Sequence, residues 1–328
     1  MTRIGDLVRR LLRSVLFRVL VTAGLLAVVL APLDWQQIGD RVSSGRPMYA
    51  LAAVALIVMT LVIGGWRWSL LLRIAALTVP ARQIYRVYAV TSFANAFLPT
   101  AIGGDVARPL LISRGGPQLT RAATTVVLDR AFALAGLLGV AWIGVLSVGP
   151  GRLDGSFWAL TAVSAAAIAL GALAVGVLRG RLPAVGRIVP ERARPVLRES
   201  RTVALAVLHN PRALLLITAQ SLVFQTLVTF QIVLLAKTLR LDLSFGLAAV
   251  ALALVTLATL LPVTIGGFGI REGSYVAILS AAGISHGDAV LISLLSVVVL
   301  LATLPGAWEL IRGGFAPVLL HHEPPGPR

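Results

Sequence analysis

Long uncharged apolar runs recur along the 328-residue chain. Pro47–Trp66, Ala131–Gly151, Gly155–Leu178, Ala213–Ala236 and Ala289–Trp308 contain no Asp, Glu, Lys or Arg. Each exceeds the about 18 residues that mark a bilayer-spanning helix. A further span is expected at about Val15–Leu33, led in by residues 1–18. There Ile4, Leu7, Val8, Leu11, Leu12 and Val15 form one helical stripe, with Arg9, Arg10 and Arg13 mostly off it. Such a basic amphipathic helix lies on a membrane surface. No small-x-small site follows it, so a cleaved signal peptide is not expected.

Two segments break the spanning pattern. Val87–Gly104 is uncharged, but Asp105, Arg108, Arg114 and Arg121 follow at once. Val87–Ile112 is therefore expected to enter the membrane and turn back. Leu243–Ile270 is uncharged over 28 residues yet interrupted by Pro262, Gly266, Gly267 and Gly269. Gly273–Gly287 adds 15 residues, about 22 Å of helix against a hydrocarbon core of about 30 Å. A second re-entrant pair is expected there. Asp34–Arg46 reads as an outer loop, Arg67–Arg86 as a basic inner segment and 179–212 as an Arg-rich inner loop.

The expected fold class is all-α: a polytopic helical integral membrane protein with two inverted repeats and two re-entrant helical hairpins. One transmembrane domain spans about 15–313, in halves of about 15–148 and 156–313. A tail at 314–328 carries no folding signal.

Composition agrees with this class. The chain is 58% hydrophobic and 13% charged, against about 25% charged in ordinary soluble domains. With no cysteine, disulfides and thiolate metal sites are excluded. The net charge of +16 comes from 28 Arg and one Lys. On the expected map 23 basic residues lie on the inner side and five on the outer, with Arg271 in the membrane. This is the positive-inside bias; no nucleic-acid-binding motif accompanies the charge, so no nucleic acid partner is expected. The orientation implies cytoplasmic N- and C-termini.

The most informative feature is an internal repeat. Residues 98–108 and 261–271 share the frame L-P-x-x-I-G-G-x-x-x-R at an offset of 163. An odd number of expected crossings separates the copies, so they face opposite sides, an arrangement resembling that of secondary transporters. In this frame Pro99 and Pro262 end a half-helix. Gly103, Gly104, Gly266, Gly267 and Gly269 permit turn conformations and close backbone approach. The freed amides and the Arg form a candidate anion site, with incidental kinking of packed helices as the bland alternative.

At these residues the chain resembles a known family. Phe93–Pro99 (F-x-N-x-F-L-P), Gly103–Arg108, Val126–Arg130 and Leu261–Gly273 look like the transmembrane, flippase-like region of bacterial lysyl-phosphatidylglycerol synthase, the multiple peptide resistance factor. The resemblance covers about Arg10–Gly313. It implies a polytopic fold in the bacterial inner membrane and movement of a lipid between leaflets. The lipid would be a phosphatidylglycerol derivative or, by analogy with stand-alone relatives, a polyprenyl-linked or hopanoid lipid. The synthase's soluble aminoacyl-transfer domain does not follow in these 328 residues, so synthesis is not expected.

Asp105, Arg108, Asp129, Arg130, Arg271 and Glu272 are ionisable groups at or near membrane depth, functional by default. Arg108 and Arg271 are the leading candidates for holding a lipid phosphate; structural pairing with Asp105, Asp129 or Glu272 is the competing role. For Asp129–Arg130 an interfacial ion pair is the simpler reading. Glu272 could titrate in a proton-coupled cycle or cap a helix. Asn95 is placed to bond freed backbone. Gln220, Gln225 and Gln231 share an apolar span, with interhelical hydrogen bonding set against a headgroup path. Gly267-Phe268-Gly269 lacks dinucleotide-loop spacing, and the four His lack zinc-ligand spacing. No cofactor, metal or catalytic residue is expected. The expected function is translocation of an anionic lipid, without enzymatic chemistry and open to homo-oligomerisation. The alternatives are a non-transporting lipid-binding scaffold or, more weakly, a membrane transferase.

Overall fold

The computed structural model describes residues 15–97, 103–113, 115–179, 191, 194–260, 263–264 and 266–300. Among these the chain forms twelve α-helices. They are α1 (Val15–Leu30), α2 (Trp35–Ser43), α3 (Pro47–Ile74), α4 (Ala81–Phe97), α5 (Gly103–Ile112), α6 (Gly116–Val148), α7 (Asp154–Leu178), α8 (Arg194–Leu208), α9 (Pro211–Thr238), α10 (Phe245–Thr259), α11 (Ile270–Ala281) and α12 (His286–Leu300). The protein is an all-helical, multi-pass membrane protein: α3, α6, α9 and Gly155–Leu178 of α7 are each long and apolar enough to cross a bilayer. Residues 1–14, the tail, Pro99 and Pro262 lie outside the described residues.

Three expected loops are partly helical. Asp34 accepts the Gln36 N–H at 3.0 Å and so caps α2, which turns Ile38 into the core. The segment 34–46, expected as a loop, thus contains an amphipathic helix. The Arg-rich segment contains α8, whose Val203, Ala204 and Val207 are buried while Arg201 donates to the Leu178 carbonyl at the end of α7 at 2.6 Å. The third correction bears on the site: α3 does not end at Trp66. Its apolar pattern resumes with Trp68, Leu71 and Leu72, so the helix runs seven residues beyond Arg67 and buries it.

The centre of the molecule is the α3–α9 pair, the most extensive helix–helix interface among the described residues. The two run antiparallel. At one end the Arg46 amide donates to the Thr238 carbonyl at 2.9 Å, and at the other Leu71 packs with Ala213 and Ile217. They are also conformational copies. Each is 28 residues long with Pro in its first turn. Each ends in the same motif, with Ala76 and Arg240 at φ 56° and 59°. There the Leu77 and Leu241 amides each donate, at 3.0 Å, to the carbonyls of Leu72 and Ala236. That six-to-one bond closes a Schellman end. All these positions are related by 164 residues, and α4 and α10 begin 164 residues apart as well.

The segment expected to turn back forms an antiparallel hairpin of α4 and α5. Gln83 Nε2 donates to the Leu111 carbonyl at 3.3 Å at its open end, and the Gly104 amide to Asn95 Oδ1 at 2.8 Å near its turn. A Cβ at Gly104 would run into the Thr91 carbonyl and Asn95, so only glycine lets α4 and α5 close. Gly103 and Gly104 are helical. Among the described residues of the frame, left-handed conformations occur in its second copy, where Gly266, Gly267 and Gly269 have φ 60°, 77° and 84°. That turn leads into α11, which packs on α10, α12 and α1. Among the described residues, no extended packing joins α4–α5 to α10–α11.

Candidate functional site

Five ionisable side chains, from α3, α5 and α6, converge in one cluster. Arg67 Nε donates to Asp129 Oδ1 at 2.7 Å, and its Nη1 to Ser221 Oγ on α9 at 3.1 Å. Arg108 Nη1 meets Asp129 Oδ2 at 3.3 Å while its Nε donates to Thr91 Oγ1 at 2.9 Å. Its guanidinium lies 4.2 Å from the Tyr88 ring centroid and 5.6 Å from that of Trp68. Trp68 is fixed in turn, its Nε1 donating to Thr125 Oγ1 at 3.1 Å. Arg130 grips Asp105 with both arms of its fork, Nε to Oδ2 at 2.6 Å and Nη2 to Oδ1 at 2.8 Å. Asn95 Nδ2 adds a bond to Asp105 Oδ1 at 3.1 Å.

Three Arg and two Asp leave the cluster one positive charge in excess. Arg67, Arg108 and Asp129 are each 2% exposed, whereas the Arg130 side chain is 51% exposed. The cluster therefore has a sealed interior and one cation facing out. Helix lengths give its depth. Arg67 lies 20 residues from the start of α3 and Asp129 lies 19 from the end of α6. Both separations are about 30 Å, one hydrocarbon thickness. The exposed Trp66 beside Arg67 marks the same level, where Trp side chains concentrate. With the start of α3 and the end of α6 set at one face of the hydrocarbon, the charges fall at the other.

The neighbours Asp129 and Arg130 thus bond other partners: Asp129 bridges two buried Arg, and Arg130 closes on Asp105. The reason is helical geometry, since consecutive residues point about 100° apart and face different helices. Asn95 bonds freed backbone as expected, at Gly104.

A second polar cluster surrounds the start of α11. Glu272, fully buried, accepts the Gly269 amide at 2.6 Å and the Ser293 hydroxyl at 3.0 Å, so it caps α11. Arg271 Nη2 donates to the Gly266 carbonyl at 2.9 Å, with the guanidinium 5.4 Å from the Phe268 ring centroid. Arg108 and Arg271, paired in the sequence frame, share no partner among the described residues. Both freed amides, Gly104 and Gly269, are capped internally, by Asn95 and Glu272. Gln225 Nε2 donates to the Ala133 carbonyl of α6 at 3.2 Å, an interhelical bond, whereas neither polar atom of the buried Gln220 has a partner among the described residues.

Arg67, Thr91, Tyr88 and Ser221 are site residues that charge counting misses. Arg67 looks like a flanking cation. The signal that reveals it is the apolar run beyond it, Trp68–Leu72.

A family model described as the lysylphosphatidylglycerol synthase TM region matches residues 15–306, and the chain belongs to that family. No curated protein matches the chain.

Proposed function

We propose that this lysylphosphatidylglycerol synthase transmembrane-region protein is a lipid translocase, without enzymatic chemistry, that moves an anionic phospholipid or lipid-linked headgroup between leaflets of the bacterial inner membrane. The observation that carries the reading is the buried cluster at the hydrocarbon boundary, net positive, with half-exposed Arg130 as its outward contact. Charge at that depth is costly and is kept where polar matter must enter. A lipid phosphate reaching Arg130 would compete with Asp105 for the guanidinium fork. Arg108, enclosed by Asp129, Thr91, Tyr88 and Trp68, organises the cluster.

The antiparallel, conformationally duplicated α3–α9 pair supports inverted repeats, and the self-packed α4–α5 and α10–α11 segments support two re-entrant hairpins. In this mechanism the hairpins rock about the α3–α9 interface, exposing the headgroup alternately while the acyl chains stay in lipid. The Arg-rich ends, including α8, face the cytoplasm and gather anionic lipid.

Purified protein reconstituted into liposomes with fluorescent phosphatidylglycerol or a polyprenyl phosphate tests this directly. Faster leaflet exchange than in empty liposomes, slowed in Arg130→Gln, is the expected result. No acceleration for any anionic lipid rejects translocation. Lipid binding without exchange would favour a scaffold, a role compatible with the internal satisfaction of most cluster donors.

A further inference from the structure

The α4–α5 hairpin is tied to the rest of the molecule in two different ways along its length. Towards its open end the tie is apolar: Ile84, Val87 and Leu111 pack with Trp68 and Leu72 of α3 and Val126 of α6. At Asp105, six residues before Leu111, the tie is ionic. The Arg130 fork on α6 grips Asp105 at 2.6 and 2.8 Å, and Arg108 Nη1 reaches Asp129 at 3.3 Å. Each side of this seam supplies one acid and one base, Asp105 and Arg108 from the hairpin, Asp129 and Arg130 from α6.

Each side also carries a counter-ion of its own. Within the hairpin, Arg108 Nε stands 3.8 Å from Asp105 Oδ1, one turn away, and is held there by Thr91 at 2.9 Å and by the Tyr88 ring. On the other side Asp129 has Arg67 at 2.7 Å, itself bonded to Ser221. Separating the two sides would leave one Asp–Arg pair in each and bare a single charge, Arg130. An uncompensated charge stranded in the interior is what ordinarily forbids such a motion. Here the bared group already faces outward: its side chain is 51% exposed, against 2–8% for the other four. In α11, by contrast, Arg271 and Glu272 bond backbone and hydroxyl groups, so the second hairpin offers no such exchange.

We propose that the Asp105–Arg130 pair is a releasable latch on the α4–α5 hairpin. The hairpin swings away from α6 about its apolar end, Asp105 passes from Arg130 to Arg108, and Asp129 keeps Arg67. Two neutral pairs stay compensated, and Arg130 alone is freed. The latch rests on the translocase reading for what the opening serves, and it deepens that reading: it names the hairpin that moves and ties its opening to release of the outward cation.

Distances within the full chain in lipid nanodiscs test the latch. The sequence has no cysteine, so nitroxides at Val106→Cys of α5 and Val223→Cys of α9, both exposed positions, can be placed without background. Val223 lies at the level of Arg67, which its neighbours Ser221 and Phe224 meet. Both α9 and the hairpin pack on α3 and α6, so two helix spacings, about 20 Å, separate the labels, within reach of pulsed electron paramagnetic resonance. One distance should dominate in the otherwise unmodified protein. Asp105→Asn and Arg130→Gln should each raise the population at longer distance about tenfold, and the double variant no further, because either change removes the same fork. The swap of Asp105→Arg with Arg130→Asp keeps the fork but gives the hairpin two cations and no acid, so it should stay closed. If the swap fails to fold, the two single variants and their double decide. Unchanged distances in both single variants overturn the latch, and so does a swap that opens as readily as Asp105→Asn. Opening with this pattern but no leaflet exchange keeps the latch and rejects the translocase. Exchange with distances insensitive to every variant rejects the latch alone.

Discussion

Asp129→Asn removes the one carboxylate shared by two sealed guanidinium groups. In the native arrangement Asp129 meets Arg67 at 2.7 Å and Arg108 at 3.3 Å, with all three side chains 2–3% exposed. Breaking a buried pair by removing one partner costs about 3–5 kcal/mol, because the remaining charge stays buried without its counter-ion. Asparagine keeps one acceptor, Arg67 keeps Ser221, and Arg108 keeps Thr91 and its place over Tyr88. These residual contacts place the expected loss near the lower bound, about 3 kcal/mol, or about two powers of ten in the folding equilibrium. Reversible unfolding of the detergent-solubilised protein in mixed micelles, followed by circular dichroism of its helices, measures it. Arg67→Gln and the double variant complete a cycle, with an expected coupling of about 1–3 kcal/mol. A loss below about 0.5 kcal/mol for Asp129→Asn would refute the reasoning, since a change that small is typical of an exposed surface position.

Two other predictions concern the hairpins. Asn95→Ala removes both the Gly104 cap and a bond to Asp105; it should cost about 1–2 kcal/mol in the same unfolding assay. Glu272→Gln retains an acceptor for the Gly269 amide and should be tolerated far better than Glu272→Ala, which also leaves Ser293 without its partner. Thermal melting should separate the two by about 1–3 kcal/mol, and equal losses would show that the cap contributes nothing.

The membrane class, the spanning helices and the repeated frame are legible in the residues themselves. Each follows from a local quantity, either apolar length against hydrocarbon thickness or the position of Pro and Gly. Pro47–Trp66 announces α3, and the Gly266–Gly269 turn announces the break before α11. The partners of the charges are not local quantities. Arg67 reaches Asp129 across 62 residues and Ser221 across 154; no composition or periodicity places those atoms together. The same limit separates Arg108 from Arg271. As letters in a repeat they are equivalent, but only the packed helices enclose the first with a carboxylate and two aromatic rings while leaving the second bonded to a carbonyl beside one Phe ring. Segment hydrophobicity adds up residue by residue along a chain, so sequence alone determined which stretches are long and apolar enough to cross a membrane. Electrostatic compensation depends on distances of a few ångströms between distant segments, so only the tertiary structure decided which charges are held and which remain open.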